Sequence, residues 1–530
     1  MDVHKSMASR FLEIIKYMFF LVFLIISFLT LAVSPLLDYM CKKNFAFSNI
    51  ILFIFDILVF SIILGIWKVF GKRFFNVIDK YATKFILVFS IVLFLGQVYL
   101  CYNIYFLSGW DAGYVFQAAK MIASRVPLGD FNAYFSRYPN NITLTWIYLV
   151  IIKVSAKLGI VNIGNGLGAI IILNCFISSL SSFLTYKSVE KLTNKGWAVF
   201  SWILYLLLLG TSSWILITYS DPFALFLPIL IFFIYTRDLK DKYSLAKWFA
   251  IGIFSFFGYH IKPQVIIILI AIMIIELVRF LFLSNIEKKR KCIIMGILLF
   301  TLFLSNISYQ AITKYNGFNL DKEDAFGMSH FVMMGLNVKT DGAYSGDDIA
   351  YSASFKTSSE RERANIEAIK ERLNNFSAIN YIKFISKKIL VNYGDGTFAW
   401  GAEGNFYAEL YPDKNSWLSP MLKSFFYSGR KNYIKTSTLE QSIWVGTIVS
   451  MLGIILIKRN QMNKEIAVLM LSILGLTAFE LLFEARARYL FIYAPIYISL
   501  STVGLKSIVY NIKLFIEKWH LNAKVENNIE

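Results

Sequence analysis

Ionisable side chains are scarce in this chain, and those at the edges of its apolar runs are the first candidates for chemistry. Asp111 comes only a few residues after the third long apolar run, and Arg137 and Tyr138 lie further along the same loop. Asp221 sits in Tyr219–Ser220–Asp221–Pro222, and His260 and Lys262 sit in His260–Ile261–Lys262–Pro263–Gln264. Glu484, Arg486 and Arg488 share the stretch Glu484–Ala485–Arg486–Ala487–Arg488. An ionisable group at membrane depth costs about 2.5–3.5 kcal/mol on insertion scales, which marks it as a functional candidate. A carboxylate can accept the proton of a hydroxyl. Arg and Lys can hold phosphate oxygens, Arg in pairs through its planar fork. Together these groups suit a substrate with a phosphate at headgroup level and a polar group to be activated.

Each position also has a structural reading. Glu484 and Arg488 are four apart and could pair along a helix; Arg486 would then lie about 200° around that helix, off their face. Asp221 before Pro222 suits an N-cap. Lys262 could snorkel to water, although Pro263 breaks a helix there and shapes the backbone. His260 reads as a structural hydrogen-bonder and Asp111 as a solvated loop acid. The sequons at Asn141 and Asn375 read as chance. No Gly-rich phosphate loop or nucleotide-binding βαβ pattern occurs, which argues against a nucleotide-sugar or ATP enzyme.

The elements that must position these groups are membrane helices. Of the 530 residues, 57% are hydrophobic and only 16% charged, against about a quarter charged in soluble domains. Mean hydropathy is +0.58. The formal net charge of +19 falls mostly in short loops between apolar runs. Topology and anionic lipid headgroups explain it better than nucleic acid does. Cys41, Cys101, Cys175 and Cys292 make neither a disulfide framework nor a metal spacing. The apolar run near the N-terminus is too long for a signal peptide and reads as a retained anchor.

These features predict an all-α polytopic membrane protein of 12 to 14 transmembrane segments with a small mixed extracytoplasmic domain. Its expected parts are N-terminal helices over 1–84, a core over 85–312 with its first exterior loop at 108–141, an exterior domain over 313–440, C-terminal helices over 441–507 and a cytoplasmic tail over 508–530. The positive-inside rule places both termini in the cytoplasm and the rim residues outside. The first loop should hold an amphipathic helix near 114–122 lying on the membrane surface. The stretch 164–186, with basic residues on both flanks, reads as a re-entrant hairpin. In the exterior domain a helix is expected from Ser358 through Arg372, with Ile366, Ile369 and Leu373 as its apolar stripe, and a second from Ile379 to Leu390.

Over residues 85–507 the chain resembles the GT-C membrane glycosyltransferases, in particular the protein O-mannosyltransferase and aminoarabinose-transferase branch and its Gram-positive cell-surface relatives. The resemblance rests on Trp110–Asp111, on Tyr134–Phe–Ser–Arg–Tyr–Pro–Asn–Asn141, on Ser220–Asp221–Pro222, on Ile261–Lys–Pro–Gln264 and on Glu484–Ala–Arg–Ala–Arg–Tyr–Leu490. It implies transfer of a sugar from a polyprenyl-phosphate donor to an extracytoplasmic acceptor, a cell-surface glycan, lipid or protein, with inversion. Asp111 would be the base, and Lys262, Arg486, Arg488 and Arg137 would hold the donor phosphate. Asp221, His260, Glu484 and Tyr138 are further candidates, and Trp400 and Asp395 of the exterior domain could meet the acceptor. Many relatives carry two acids in the first loop; here Asp130 is well away from Asp111, and no metal or other cofactor is expected. Two other readings stand beside this one, a lipid-linked polysaccharide polymerase or ligase and a membrane transporter or flippase.

Overall fold

The computed structural model describes residues 2–33, 45–159, 166–238, 244–281 and 285–526. Cys41, the start of the supposed hairpin at 164–165 and the last four residues of the tail lie outside them. The described chain is helical. From the N-terminus run α1 (Asp2–Phe28), α2 (Asn49–Ile104), α3 (Trp110–Ala123), α4 (Phe131–Arg137), α5 (Ile142–Lys157), α6 (Leu167–Leu192) and α7 (Lys195–Tyr205). Next come α8 (Ser220–Ala224), α9 (Phe226–Thr236), α10 (Ser244–Tyr259), α11 (Ile266–Phe280) and α12 (Asn285–Tyr315). The short α13 (Met328–Gly335) and α14 (Gly346–Ala353) precede α15 (Ser358–Asn374), α16 (Ala378–Tyr393) and α17 (Leu418–Phe426). The chain then returns through α18 (Tyr433–Ser450), α19 (Lys464–Leu482) and α20 (Ala494–Glu526).

Among the described residues nine helical stretches are long and apolar enough to cross a membrane, and Lys195–Gly210 and Ser220–Thr236 are shorter apolar helices. Length and composition therefore support nine spans, fewer than the 12 to 14 expected. The hairpin expectation fails: Leu167–Leu192 is one continuous helix of 26 residues. Its Ser, Thr and Asn side chains face protein and not lipid. Gln97 Nε2 donates to Ser178 Oγ at 3.0 Å, and Ser90 and Ser182 meet at 3.1 Å. Small and polar residues of this kind let membrane helices approach and hydrogen-bond across their interface.

The 313–440 segment is not a mixed domain. Within the described residues its only strand is β2 (Glu409–Leu410), which pairs antiparallel with β1 (Phe106–Leu107) just before α3. Its second half also shares the membrane bundle's core, where Phe398, Trp400, Phe406 and Tyr427 are buried with Trp214, Trp444 and Phe491. The helix expected from Ser358 forms, opened by a capping box in which Thr357 and Glu360 each bond the other's backbone N–H. Its buried face, however, is Arg361, Ala364 and Asn365; Ile366 and Leu373 of the expected apolar stripe are exposed. Arg361 overrides the apolar periodicity because its guanidinium bonds the carbonyls of Glu323, Ala325, Ser352 and Phe355.

Glycines set the closest helix approach. A Cβ on Gly504 of α20 would run into the Ser450 carbonyl, and one on Gly453 into the Gly504 carbonyl. Gly504→Val is expected to destabilise the chain by about 1–3 kcal/mol through overpacking, read as a lower thermal midpoint in detergent. A change into open space within a helix, Gly296→Ala, should not lower the midpoint.

Candidate functional site

Asp111 is placed by a strained entry into α3. Trp110 has φ 41°, a left-handed conformation unfavourable for a bulky residue. Three bonds hold it there. Trp110 Nε1 donates to Ser108 Oγ at 2.7 Å, Ser108 Oγ donates to the Phe406 carbonyl at 2.8 Å, and Gly109 N donates to the Asn405 carbonyl at 3.0 Å. Gly109 has no alternative, since a Cβ there would stand 2.5 Å from the Asn405 carbonyl oxygen. The first loop is thereby tied to residues 405–410. The helix that follows does not lie on a surface as expected; Ala112, Val115, Phe116 and Ala119 are buried because α3 packs against α5. Asp111 falls in its first turn, where the helix N-terminus favours an anion.

Asp111 sits among polar aromatic groups. The Tyr219 hydroxyl lies 3.1 Å from Asp111 Oδ2 and 3.2 Å from Asn141 Oδ1 and can donate to either. Asn141 Nδ2 donates to the Tyr134 hydroxyl at 2.6 Å. Burial raises the Asp111 carboxyl above its ordinary range, and the positive charge of Arg488 with the Tyr134 and Tyr219 hydroxyls only partly offsets this. Tyr219 itself ends an irregular segment that starts after Gly210. Such backbone persists inside a membrane bundle only when its polar groups find partners. Here Asn174 Nδ2 donates to the carbonyls of Ile215 and Ile217, and Gln97 Nε2 to that of Gly210.

The cations converge on the neighbouring side of Trp110 and Tyr219. The Arg488 guanidinium carbon is 4.8 Å from the Trp110 ring centre and 5.6 Å from that of Tyr219. Lys262 makes a close ion pair with the fully buried Asp221, and Arg488 Nη1 lies 3.8 Å from Asp221 Oδ2. The N-cap reading of Asp221 is thus replaced: the residue lies inside the first turn of α8, behind an N-cap at Tyr219, and its carboxylate faces Lys262. Lys262 does not snorkel either. It is buried at the break before Pro263, where the Tyr493 hydroxyl donates to the Gln264 carbonyl and accepts from Ile268 N, both at 3.0 Å.

Glu403 joins the set. Arg486 Nε lies 2.9 Å and Arg488 Nε 3.4 Å from Glu403 Oε1. Burial raises the Glu403 carboxyl, but the two arginines outweigh it and hold the group below its usual range. Both arginines reach one acid because α19 stops at Leu482. Lys388 Nζ caps it by donating to the carbonyls of Gly335, Leu481 and Phe483 at 2.6, 2.9 and 2.6 Å, and Arg486 is extended at φ −160° and ψ 128°. Arg486 thus stands outside the short 3-10 helix Ala487–Tyr493 that carries Arg488, so the helical angle that separated the two does not apply. The Glu484–Arg488 helical pair fails for the same reason. Glu484 accepts instead from the Tyr489 hydroxyl at 3.0 Å, and burial raises its carboxyl.

Nε and Nη1 of Arg488 make no hydrogen bond within the structure although both are buried. Buried donors in native proteins are nearly always paired, so these two have capacity for ligand oxygens. Arg137 Nε is likewise buried and unbonded, but its guanidinium lies over Phe326, 5.2 Å from the ring centre, a ring that Arg361 also covers at 5.6 Å. Tyr138 is near enough for the Asp111 charge to be felt. His260 stacks on Tyr309, centres 4.6 Å apart. Two residues offered for an acceptor are structural. Trp400 is buried, donates to the Phe426 carbonyl at 2.9 Å and packs on Trp214 and Phe406. Asp395 spends both oxygens on Thr397 and Ala399 of its own loop.

Glu403, Tyr219, Asn141 and Tyr489 escaped the sequence reading as site residues. The only hints were an acid set among glycines in Gly401–Ala–Glu–Gly404 and tyrosines flanking two of the charged motifs. Among the described residues no group of three or more His, Cys, Asp or Glu could hold a metal ion. Residues 7–509 match the model of a family described as conserved hypothetical integral membrane protein. No curated protein matches the chain.

Removing one partner of a buried pair strands the other's charge, at a cost of about 3–5 kcal/mol. Lys262→Ala is therefore expected to lower the thermal midpoint in detergent sharply. Combining it with Asp221→Asn should restore much of the loss. Equal midpoints for wild type and Lys262→Ala would show that the pair is not closed in solution.

Proposed function

The chain belongs to this family of conserved hypothetical integral membrane proteins, and on that premise we propose that it is a membrane glycosyltransferase, moving a sugar from a polyprenyl-phosphate donor to an extracytoplasmic acceptor with inversion. One observation carries the reading: Asp111 and Arg488 meet across Trp110 and Tyr219, so a base and a phosphate-binding cation share one site. The Asp111 carboxylate takes the proton of the acceptor hydroxyl as its oxygen bonds to the anomeric carbon. The bond from that carbon to the phosphate oxygen breaks with its electron pair, and polyprenyl phosphate leaves with one more negative charge. Arg488, with two unspent donors, meets that charge where it develops, and Lys262 and Arg486 add to the field. Asp221 and Glu403 keep the three cations folded inward before any donor arrives. The positive-inside rule puts this end of the bundle outside the cell membrane. The donor is a substrate, and the residues around Asp111 call for no further cofactor.

Transfer of radiolabelled sugar from polyprenyl-phosphate donors by purified protein tests this. Asp111→Asn should cut transfer by about 10²–10⁴-fold, the contribution of a general base, while donor binding is kept. Unchanged transfer in Asp111→Asn would overturn the assignment. No turnover of any donor by wild type would overturn the reaction class in favour of a polymerase, ligase or transporter.

The pH profile supplies a separate check. The base works only when ionised, and burial raises its carboxyl, so the acid limb should lie above the ordinary carboxylate range. Tyr219→Phe removes a hydrogen bond that lowers the group, so the limb should move to still higher pH. A limb that stays in place would exclude Asp111 as the titrating base.

A further inference from the structure

A second charged cluster lies at the other end of the bundle. Asp221 and Tyr235 are fourteen residues apart along α8 and α9, as are Lys262 and Glu276 along α11, a rise of about 20 Å in each case. At that far end Glu276 is buried and its carboxylate is surrounded. The Tyr235 hydroxyl donates to it at 2.8 Å, Arg279 Nη1 lies at 3.2 Å, Lys464 Nζ at 3.8 Å, and Lys291 makes a close ion pair. Lys247 Nζ reaches the same place, bonding the Tyr235 carbonyl at 2.6 Å and the Arg237 carbonyl at 2.9 Å. Lys247 and Lys464 both lie over the Tyr235 ring, 5.5 and 5.1 Å from its centre, and Lys291 lies 5.6 Å from that of Trp248.

Basic residues that only set topology need no common focus. These four come from α10, α11, α12 and α19 and converge on one tyrosine and one acid. Among the described residues they face two acids, Glu276 and Glu465, the latter 3.8 Å from Lys464; a third nearby acid, Asp238, is exposed and paired with Lys191. Among these described residues positive charge is therefore in excess where the bundle meets the headgroup layer, a setting that attracts a further anion. The cluster also opens to the bilayer. From Lys291 an exposed apolar row, Met295, Leu299 and Leu302, runs along α12 at helical spacing. A phosphate bound by the cations would have its acyl chains laid on that row.

We propose that Lys247, Arg279, Lys291 and Lys464 bind the phosphate of an anionic membrane phospholipid at the end of the bundle opposite Asp111. Attraction of one Lys or Arg to anionic lipid near the surface corresponds to about a fivefold change in affinity. Bound lipid is counted by native mass spectrometry on the full chain in detergent, with dioleoyl phosphatidylglycerol, dioleoyl phosphatidylcholine or inorganic phosphate added. Wild type should retain phosphatidylglycerol over phosphatidylcholine, and high salt should weaken the preference. Arg279→Gln combined with Lys464→Gln should lower phosphatidylglycerol affinity about 25-fold, leaving phosphatidylcholine retention unchanged. Arg279 is 45% exposed, so Arg279→Gln alone serves should the double variant fail to fold, with a loss of about fivefold. Equal retention of both lipids, or an unaffected variant, would overturn the proposal. Inorganic phosphate that displaces phosphatidylglycerol at equal concentration would overturn the lipid source.

Discussion

Five ionised side chains are held largely out of water at one end of an apolar bundle, and they can stay only because each faces an opposite charge. Asp221 and Lys262 are the deepest pair. Glu403 sits between Arg486 and Arg488, and Arg488 also approaches Asp221, which links the two groups. Burying an isolated charge costs several kcal/mol after relaxation. The starts of α8 and α11, the turn after α19 and the loop at 401–404 must therefore meet. The breaks in these helices follow from that meeting.

Each break is held by a side chain from elsewhere in the chain. Asn174 carries the carbonyls of the segment before Tyr219, Tyr493 holds the start of α11, and Lys388 closes the end of α19. In lipid an unpaired backbone group has no water to turn to, so such irregular turns are confined to places where a partner exists. One of these staples, Lys388, belongs to the 313–440 segment and joins it to the bundle. That segment is less an appended domain than part of the site's wall.

The two charged ends are built differently. Around Asp111 the cations are matched by Asp221 and Glu403, and the unspent capacity lies in hydrogen-bond donors on Arg488. Around Glu276 the imbalance among the described residues is in net charge, with four cations crowding two acids over aromatic rings. A site that must release a charged product is served by cations whose charge is already matched. A site that retains a lipid headgroup is served by excess.

Composition alone settles that this is a helical integral membrane protein, because apolar runs of this length have nowhere else to go. The acids and cations at the run ends were legible one by one, since an ionisable group in an apolar chain is conspicuous. The helix from Ser358 was legible too, because a capping box is a local device. Tertiary structure decided what met what. Arg486 and Arg488 share Glu403 only because α19 ends at Leu482, and that end depends on Lys388, nearly a hundred residues away. Trp400 is core because its loop packs under Trp214, and Arg361 displaces the apolar stripe of α15 because four carbonyls outside the helix await it. Hydrophobic periodicity reports which face a helix would bury if it continued. Where a helix stops, and what its last charged residues then touch, depends on partners that local sequence does not contain.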